Sequence, residues 1–298
     1  MRFPNLLLTQ FLWVLFVPYA LSPAVSADDP SPDSEAKTAN PFFAFCMDTH
    51  DSQKRTLREQ AEMLKELGFD GAGHLWLDDL EERIQTLDEF GLKLFQVYFR
   101  VNVDPDKEPY DSRLKDSLPL LAGRDVMLAL LIGGLPPSDT SGDPKAVEIV
   151  REIADMASKY GVRVTLYPHS GDWLERLEDA VRITQKVDRP NVGAMFNLSH
   201  WLKVDAEENL KPLLTQSGPY LFAVSLNGAD RAEEIRAGTG NFVRPLDSGS
   251  YDVRLVLDTL KSLDYQGPIG LQCWGIEGDA REHLARSMAA WRDLSGRP

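Results

Sequence analysis

The chain has 298 residues, 43% hydrophobic and 26% charged, with a formal net charge of −14. That composition excludes a fibrous or disordered chain, and the length suits one large core, a barrel of alternating strands and helices commonly running to about 250 residues. The acidic balance argues against a nucleic-acid partner, whose affinity comes from Lys and Arg neutralising phosphates, and two cysteines exclude a disulfide framework.

At the N-terminus, Arg2 precedes an apolar stretch over 6–21 broken only by Thr9, Gln10 and Pro18, followed by the small residues Val25, Ser26 and Ala27. This pattern predicts a signal peptide over 1–27, cleaved after Ala27, and so an exported protein, periplasmic or extracellular. The apolar run also approaches spanning length, so an uncleaved anchor is the alternative, and it is the one route by which the chain would meet a membrane. Residues 28–40, rich in Pro, Ser and acid without apolar periodicity, read as a disordered linker.

From Pro41 onward, short apolar runs alternate with amphipathic stretches. Strands are expected over 42–47, 69–73, 93–99, 126–132, 163–166, 193–196, 221–226 and 269–272, and helices over 53–67, 79–90, 112–121, 144–160, 173–187, 206–214, 253–263 and 280–294. Gly68, Gly91, Gly123 and Gly161 stand where the chain leaves a helix with positive φ, and each is followed closely by a strand. Eight strands, eight helices and tight returns predict a single-domain α/β fold, a TIM-type (β/α)8 barrel over 41–298, rather than an open doubly wound sheet. The first strand is not followed by the Gly-x-Gly-x-x-Gly turn of a dinucleotide site. Cys46 and Cys273 fall on the first and last strands, neighbours once a barrel closes, although adjacent parallel strands rarely offer disulfide geometry.

The polar residues cluster where strands end. His50, His74, His169 and His200 follow the first, second, fifth and sixth strands, while His283 sits in the last helix. In such a barrel the strand exits converge on one mouth, which adds Asn102, Tyr167, Asn197, Ser225, Asn227 and Gln272 to a ring of neutral hydrogen-bonding groups. Each has a structural alternative, that of satisfying backbone groups at the rim. Trp76, Trp173, Trp201 and Trp274 lie just past strand exits. Aromatic faces beside convergent polar groups suit a small-molecule carbohydrate, although these rings could equally serve to cover the barrel top.

Four segments carry a family resemblance: Val164-Thr165-Leu166-Tyr167-Pro168-His169, Asn191-Val192-Gly193-Ala194-Met195-Phe196-Asn197-Leu198-Ser199-His200-Trp201, Val224-Ser225-Leu226-Asn227-Gly228-Ala229-Asp230 and Gly267-Pro268-Ile269-Gly270-Leu271-Gln272-Cys273. With the strand-helix rhythm, they make the chain from Pro41 onward resemble the xylose isomerase-like barrels, which include sugar isomerases, epimerases and the endonuclease IV group. Active members hold a divalent metal with Glu, an Asp-x-x-His pair, a further His and a final Glu. Here the corresponding positions read Tyr167, Asn197 with His200, Ser225 and Gln272, so that neutral side chains replace the anionic ones. The resemblance therefore implies a divergent branch without the standard metal and without another cofactor. A divalent metal would need a rebuilt zinc-type site in which His50, His74, His169 and His200 converge.

Two functions follow. The first is an isomerase- or epimerase-like enzyme, with lyase chemistry also open, acting on a sugar or keto-sugar by proton transfer beside a carbonyl. His169 and His200 would serve as base and acid, Asn197, Asn227 and Gln272 as hydrogen-bond donors, and His50, His74, Tyr167, Trp76, Trp173, Trp201 and Trp274 as the binding surround. Asp48, Asp230 and Glu277 are reserve carboxylates on loops. The second is a catalytically silent barrel that binds a carbohydrate through the same tryptophans and amides.

Overall fold

In the first strand, β1 (Phe42–Phe45), all four residues are buried, as a parallel strand covered on both faces requires. The computed structural model describes residues 40–297, so the expected signal peptide, its anchor alternative and nearly all of the linker lie outside the described residues. The remaining strands are β2 (Gly71–Leu75), β3 (Lys93–Asn102), β4 (Met127–Gly133), β5 (Arg163–Leu166), β6 (Val192–Asn197), β7 (Leu221–Leu226) and β8 (Ile269–Gln272). They form a closed barrel in chain order, every pairing parallel, sealed where Phe42 to Phe45 align with Ile269 to Gln272. The expected (β/α)8 barrel is the observed architecture.

Outside the barrel lie α1 (Leu57–Leu67), α2 (Leu80–Glu89), α3 (Leu114–Ser117), α4 (Asp143–Ser158), α5 (Leu177–Val187), α6 (Leu198–Val204), α7 (Leu210–Ser217), α8 (Ala232–Arg236), α9 (Arg254–Ser262) and α10 (Ala280–Ser295). The packing stripe is clearest on α4, where Ala146, Ile149, Val150, Ile153, Ala154 and Ala157 bury at three- and four-residue spacing against the sheet. Among the described residues no helix is long and apolar enough to cross a membrane.

Several boundaries moved for local reasons. The first helix starts at Leu57 rather than Gln53, because Thr56 and Glu59 form a reciprocal capping box and Lys54 holds a positive φ of 49°. The helix expected over 112–121 is one turn of α-helix continued as a 3-10 turn over Leu118–Leu121, with Pro119 near its start. The helix expected from Trp173 begins at Leu177, and the one expected over 206–214 runs from Leu210 to Ser217. The short α6 and α8 were not anticipated.

Strand pleating divides the side chains into two cores. One lies between sheet and helices, and the other fills the barrel with Phe43, Phe45, Phe95, Tyr98, Met127 and Met195 among others. Phe43 stacks on Phe95 at 4.8 Å, Phe45 on Tyr98 at 4.9 Å, and Tyr98 meets Tyr167 edge-on at 5.5 Å, making an aromatic column along the axis. Gly73 and Gly270, flanking β1, make room for it. A Cβ on Gly73 would stand 2.8 Å from the Phe45 Cβ, and one on Gly270 2.7 Å from the Phe43 ring. The two buried cysteines, Cys46 and Cys273, are free thiols.

Candidate active site

Above the aromatic column, the strand ends enclose a cavity of about 380 Å³. Tyr98, Tyr167 and Gln272 form its base, His169 and His200 one side, and Trp76, Trp274 and Phe242 line it further out. Pleating explains the selection. Tyr98 and Arg100 alternate on β3, Thr165, Tyr167 and His169 on and beyond β5, and Gly270 and Gln272 on β8 share one inward parity. Trp76 and Cys46, both on the cavity wall, hold φ values of 68° and 58°. For side chains of this size the left-handed region costs about 1–3 kcal/mol, so the surrounding structure must hold them there.

The centre of the site is the Tyr167 hydroxyl. Asn197 ends β6 and caps α6: its Oδ1 accepts from the His200 N–H at 3.3 Å and from the Ser199 hydroxyl at 2.7 Å. Nδ2 is therefore the end turned to Tyr167, and it donates to the phenolic oxygen. Gln272 is oriented the same way, its Oε1 accepting from the Trp274 N–H at 3.1 Å and its Nε2 donating to Tyr167 at 3.3 Å. With two N–H donors already on its oxygen, the phenol finds no acceptor for its own hydrogen among the described residues. Burial pushes the hydroxyl well above the usual phenol range despite the opposing pull of the two amides, so the group remains O–H.

Beside it, the His169 and His200 rings lie 4.0 Å apart, and the His200 ring is edge-on to Tyr167 at 5.8 Å. The Ser170 backbone N–H points to His200 Nδ1 at 3.3 Å, and the Ser170 hydroxyl is 3.0 Å away. A backbone N–H can only donate, so neutral His200 carries its hydrogen on Nε2. Burial first, then His169 and Lys203, hold its pKa well below the usual histidine range. His169 Nδ1 lies 3.4 Å from Asp172 Oδ2, an ion-pair distance without hydrogen-bond alignment, and Asp172 is in turn held by Arg100 at 3.0 Å. A carboxylate at that edge favours the proton on Nδ1 and leaves the Nε2 lone pair free. Burial lowers the His169 pKa, and Asp172 opposes that shift.

The structure brings together only part of the expected ring. Tyr167, His169, His200, Gln272, Trp76 and Trp274 line the cavity, with Asn197 directly beneath Tyr167. His74 faces outward instead: Nε2 meets the Asp78 carbonyl at 2.7 Å and Nδ1 accepts from the buried Arg83 at 3.4 Å. Trp173 is fully buried, its Nε1–H bound to the Asp139 carbonyl at 2.7 Å and its ring against Gly142. Trp201 packs between Phe196 and Tyr251. Asn227 turns away and bonds the Gly228 and Phe242 carbonyls, each at 2.8 Å. His50 sits at the lip, its Nδ1 accepting from the Gly275 N–H at 3.2 Å, edge-on to Trp274. Asn102 lines a separate groove with Tyr110 and Asp172.

Of the reserve carboxylates, Asp48 and Glu277 are exposed on loops. Asp230 is buried against Arg244 at 2.6 Å and receives the Asn241 N–H at 2.7 Å. Sequence reasoning missed Arg100, Asp172, Ser170, Lys203 and Phe242. Two of these carried a signal, since Arg100 continues the inward parity of Tyr98 and Lys203 stands three residues after His200 on α6. Phe242 lies in the loop after β7, where no periodicity points to it.

The positions at which the resemblance expects metal ligands do not fit a divalent cation. Tyr167, Asn197, Ser225 and Gln272 supply no carboxylate, and both amides present N–H hydrogens, not oxygen, to the centre. His50 and His74 stand apart from the His169–His200 pair, in contacts of their own, and no group of three or more His, Cys, Asp or Glu among the described residues could hold a metal ion.

Comparison with known proteins agrees with this architecture. A family model described as xylose isomerase-like TIM barrel matches residues 61–294. Among solved structures, the chain is similar to an AP endonuclease, family 2, from Brucella melitensis at 19% identity, covering 85% of this chain and 98% of that one with a TM-score of 0.63. It is similar to the 3-keto-D-glucoside 4-epimerase of E. coli at 18% identity, covering 85% and 98% with a TM-score of 0.66. A D-allulose 3-epimerase from Methylomonas sp. matches at 14% identity, covering 86% and 98% with a TM-score of 0.67. No curated protein sequence matches. Likenesses this distant show a shared fold, and the family model spans most of the barrel: the chain belongs to the xylose isomerase-like TIM barrel family.

Proposed function

We propose that the cavity is the site of an enzyme that moves a proton beside the carbonyl of a carbohydrate or keto-sugar, giving isomerisation, epimerisation or elimination. The observation that carries this reading is the Tyr167 hydroxyl, whose oxygen is filled by two amide donors and whose hydrogen is left for a ligand oxygen. A carbonyl oxygen placed there gains negative charge as the neighbouring carbon loses its proton, and a preset donor stabilises that charge more than it stabilises the starting carbonyl.

His169, held neutral by burial, takes the carbon-bound proton on Nε2. Return of a proton from solvent to the opposite face, with His169 releasing the one it took to solvent, gives the epimer. Transfer of that proton from His169 to a departing neighbouring hydroxyl, which the His200 Nε2–H steadies by a hydrogen bond, gives the elimination product and water. Asn197 and Gln272 act through Tyr167 and not on the ligand, while Trp76 and Trp274 offer apolar faces to its C–H groups. The epimerases named among the structural neighbours support this kind of reaction.

The test is deuterium incorporation from heavy water, followed by proton NMR over a panel of ketoses and keto-acids. Exchange at the carbon beside the carbonyl is expected, slowed about a hundredfold or more in His169→Ala and unaffected by chelator. Equal exchange in His169→Ala would remove that residue from the mechanism. Binding without exchange across the panel would leave the silent carbohydrate-binding barrel as the better reading.

A further inference from the structure

We infer that the ligand of this cavity carries a carboxylate, an acidic keto-sugar rather than a neutral one, with Lys203 as its counter-charge. The inference deepens the reading above and depends on it only for the location of the site. It rests on an inventory of donors and acceptors. A neutral sugar brings as many O–H donors as acceptors, and a site for it must supply acceptor oxygens, usually carboxylates or amide carbonyls. Here no Asp or Glu among the described residues lines the cavity. The Asn197 Oδ1 is occupied by a backbone N–H and the Ser199 hydroxyl, and the Gln272 Oε1 by the Trp274 N–H. What remains directed at a ligand is mainly donors: the Tyr167 hydroxyl, the His200 Nε2–H and the Lys203 ammonium.

The charges agree. The chain carries a formal −14 overall, yet the charged residues on the cavity wall are Arg100 and Lys203. Arg100 is neutralised by Asp172 at 3.0 Å. Lys203 is half-buried and makes no ion pair among the described residues; its Nζ instead sits 3.2 Å from the centre of the Phe242 ring. Being one turn from His200 on α6, it faces the same cavity. A half-buried ammonium without an anion is a costly feature in an acidic protein, and a bound carboxylate supplies the missing partner. With one uncommitted positive charge, the count suits a single carboxylate better than a phosphate ester carrying nearly two negative charges.

Isothermal titration with three matched sets tests the assignment: keto-sugar acids, their neutral amides or parent ketoses, and sugar phosphates. Wild-type protein should bind acids in preference to both other sets. Lys203→Gln should weaken acid binding about a hundredfold with an unchanged melting temperature, and Lys203→Arg should restore most of it. Neutral compounds binding as tightly as acids, phosphates binding more tightly, acid binding unchanged in Lys203→Gln, or no binding by any set at millimolar concentration would each overturn it. Because only binding is read, a failure here is separate from the loss of deuterium exchange that would remove the catalytic reading.

Discussion

Tyr167 gathers its role from atoms that are not its own. Two backbone N–H groups, those of His200 and Trp274, fix which end of Asn197 and of Gln272 faces inward, and so fix that the phenol accepts twice and donates outward. Sequence reading recognised these three positions as neutral replacements for metal ligands, and the resemblance supplied the places. It made Asn197 and Gln272 donors but not donors to Tyr167, because amide direction depends on a cap and a turn that exist only in the folded chain. The same holds for His169, whose partner Asp172 is three residues on but meets it only through the turn that follows β5. Asp172 raises the His169 pKa. Asp172→Asn should therefore shift the acid limb of the pH–rate profile to lower pH and reduce turnover. A limb that stays in place, measured with any exchanging substrate, would show that Asp172 only builds the loop.

Elements were legible where periodicity was strong and less so at their edges. The eight strands follow from apolar runs, and parity then decides which side chains enter the barrel, so His74 was legible as outward-facing had the pleat been counted from Gly73. Trp173 and Trp201 were placed by proximity to strand exits, but Trp173 turns under the surface in its loop and Trp201 lies on the buried face of the short α6. The long connection after β7 carried the least signal. It is pinned at Asp230, which receives the Asn241 and Ser250 N–H groups and pairs with Arg244. It also supplies Phe242, the ring beneath Lys203. Asp230→Asn keeps the shape but removes the charge facing Arg244. Hydrogen exchange should rise across residues 238–250 and ligand affinity should fall, with the barrel strands as protected as before; uniform loss of protection would mean that the residue supports the whole fold.

At the scale of the molecule, a formal net charge of −14 coexists with a cavity wall whose charged residues are Arg100 and Lys203. Whole-chain composition averages over a site this small. Stability should show a clear dependence on acid. His283 is 5% exposed on α10, and burial lowers its pKa from 6.5 to about 4. The folded form resists protonation, so its stabilising contribution is intact above the unfolded value and is lost as pH falls, the loss being complete below about 4. That single group is worth roughly 3 kcal/mol across the window. His283→Gln should flatten the decline in melting temperature between neutral and acidic pH; a slope equal to wild type would assign the effect to other groups.

The aromatic column set along the barrel axis has a further consequence. Packed from Phe43 up to Tyr98, it makes the chamber a cul-de-sac closed from below, with the reactive groups at its blind end. A chain of sugars cannot thread past them. Under the proposed function it would offer only its terminal unit, and the product would leave by the mouth through which the substrate entered.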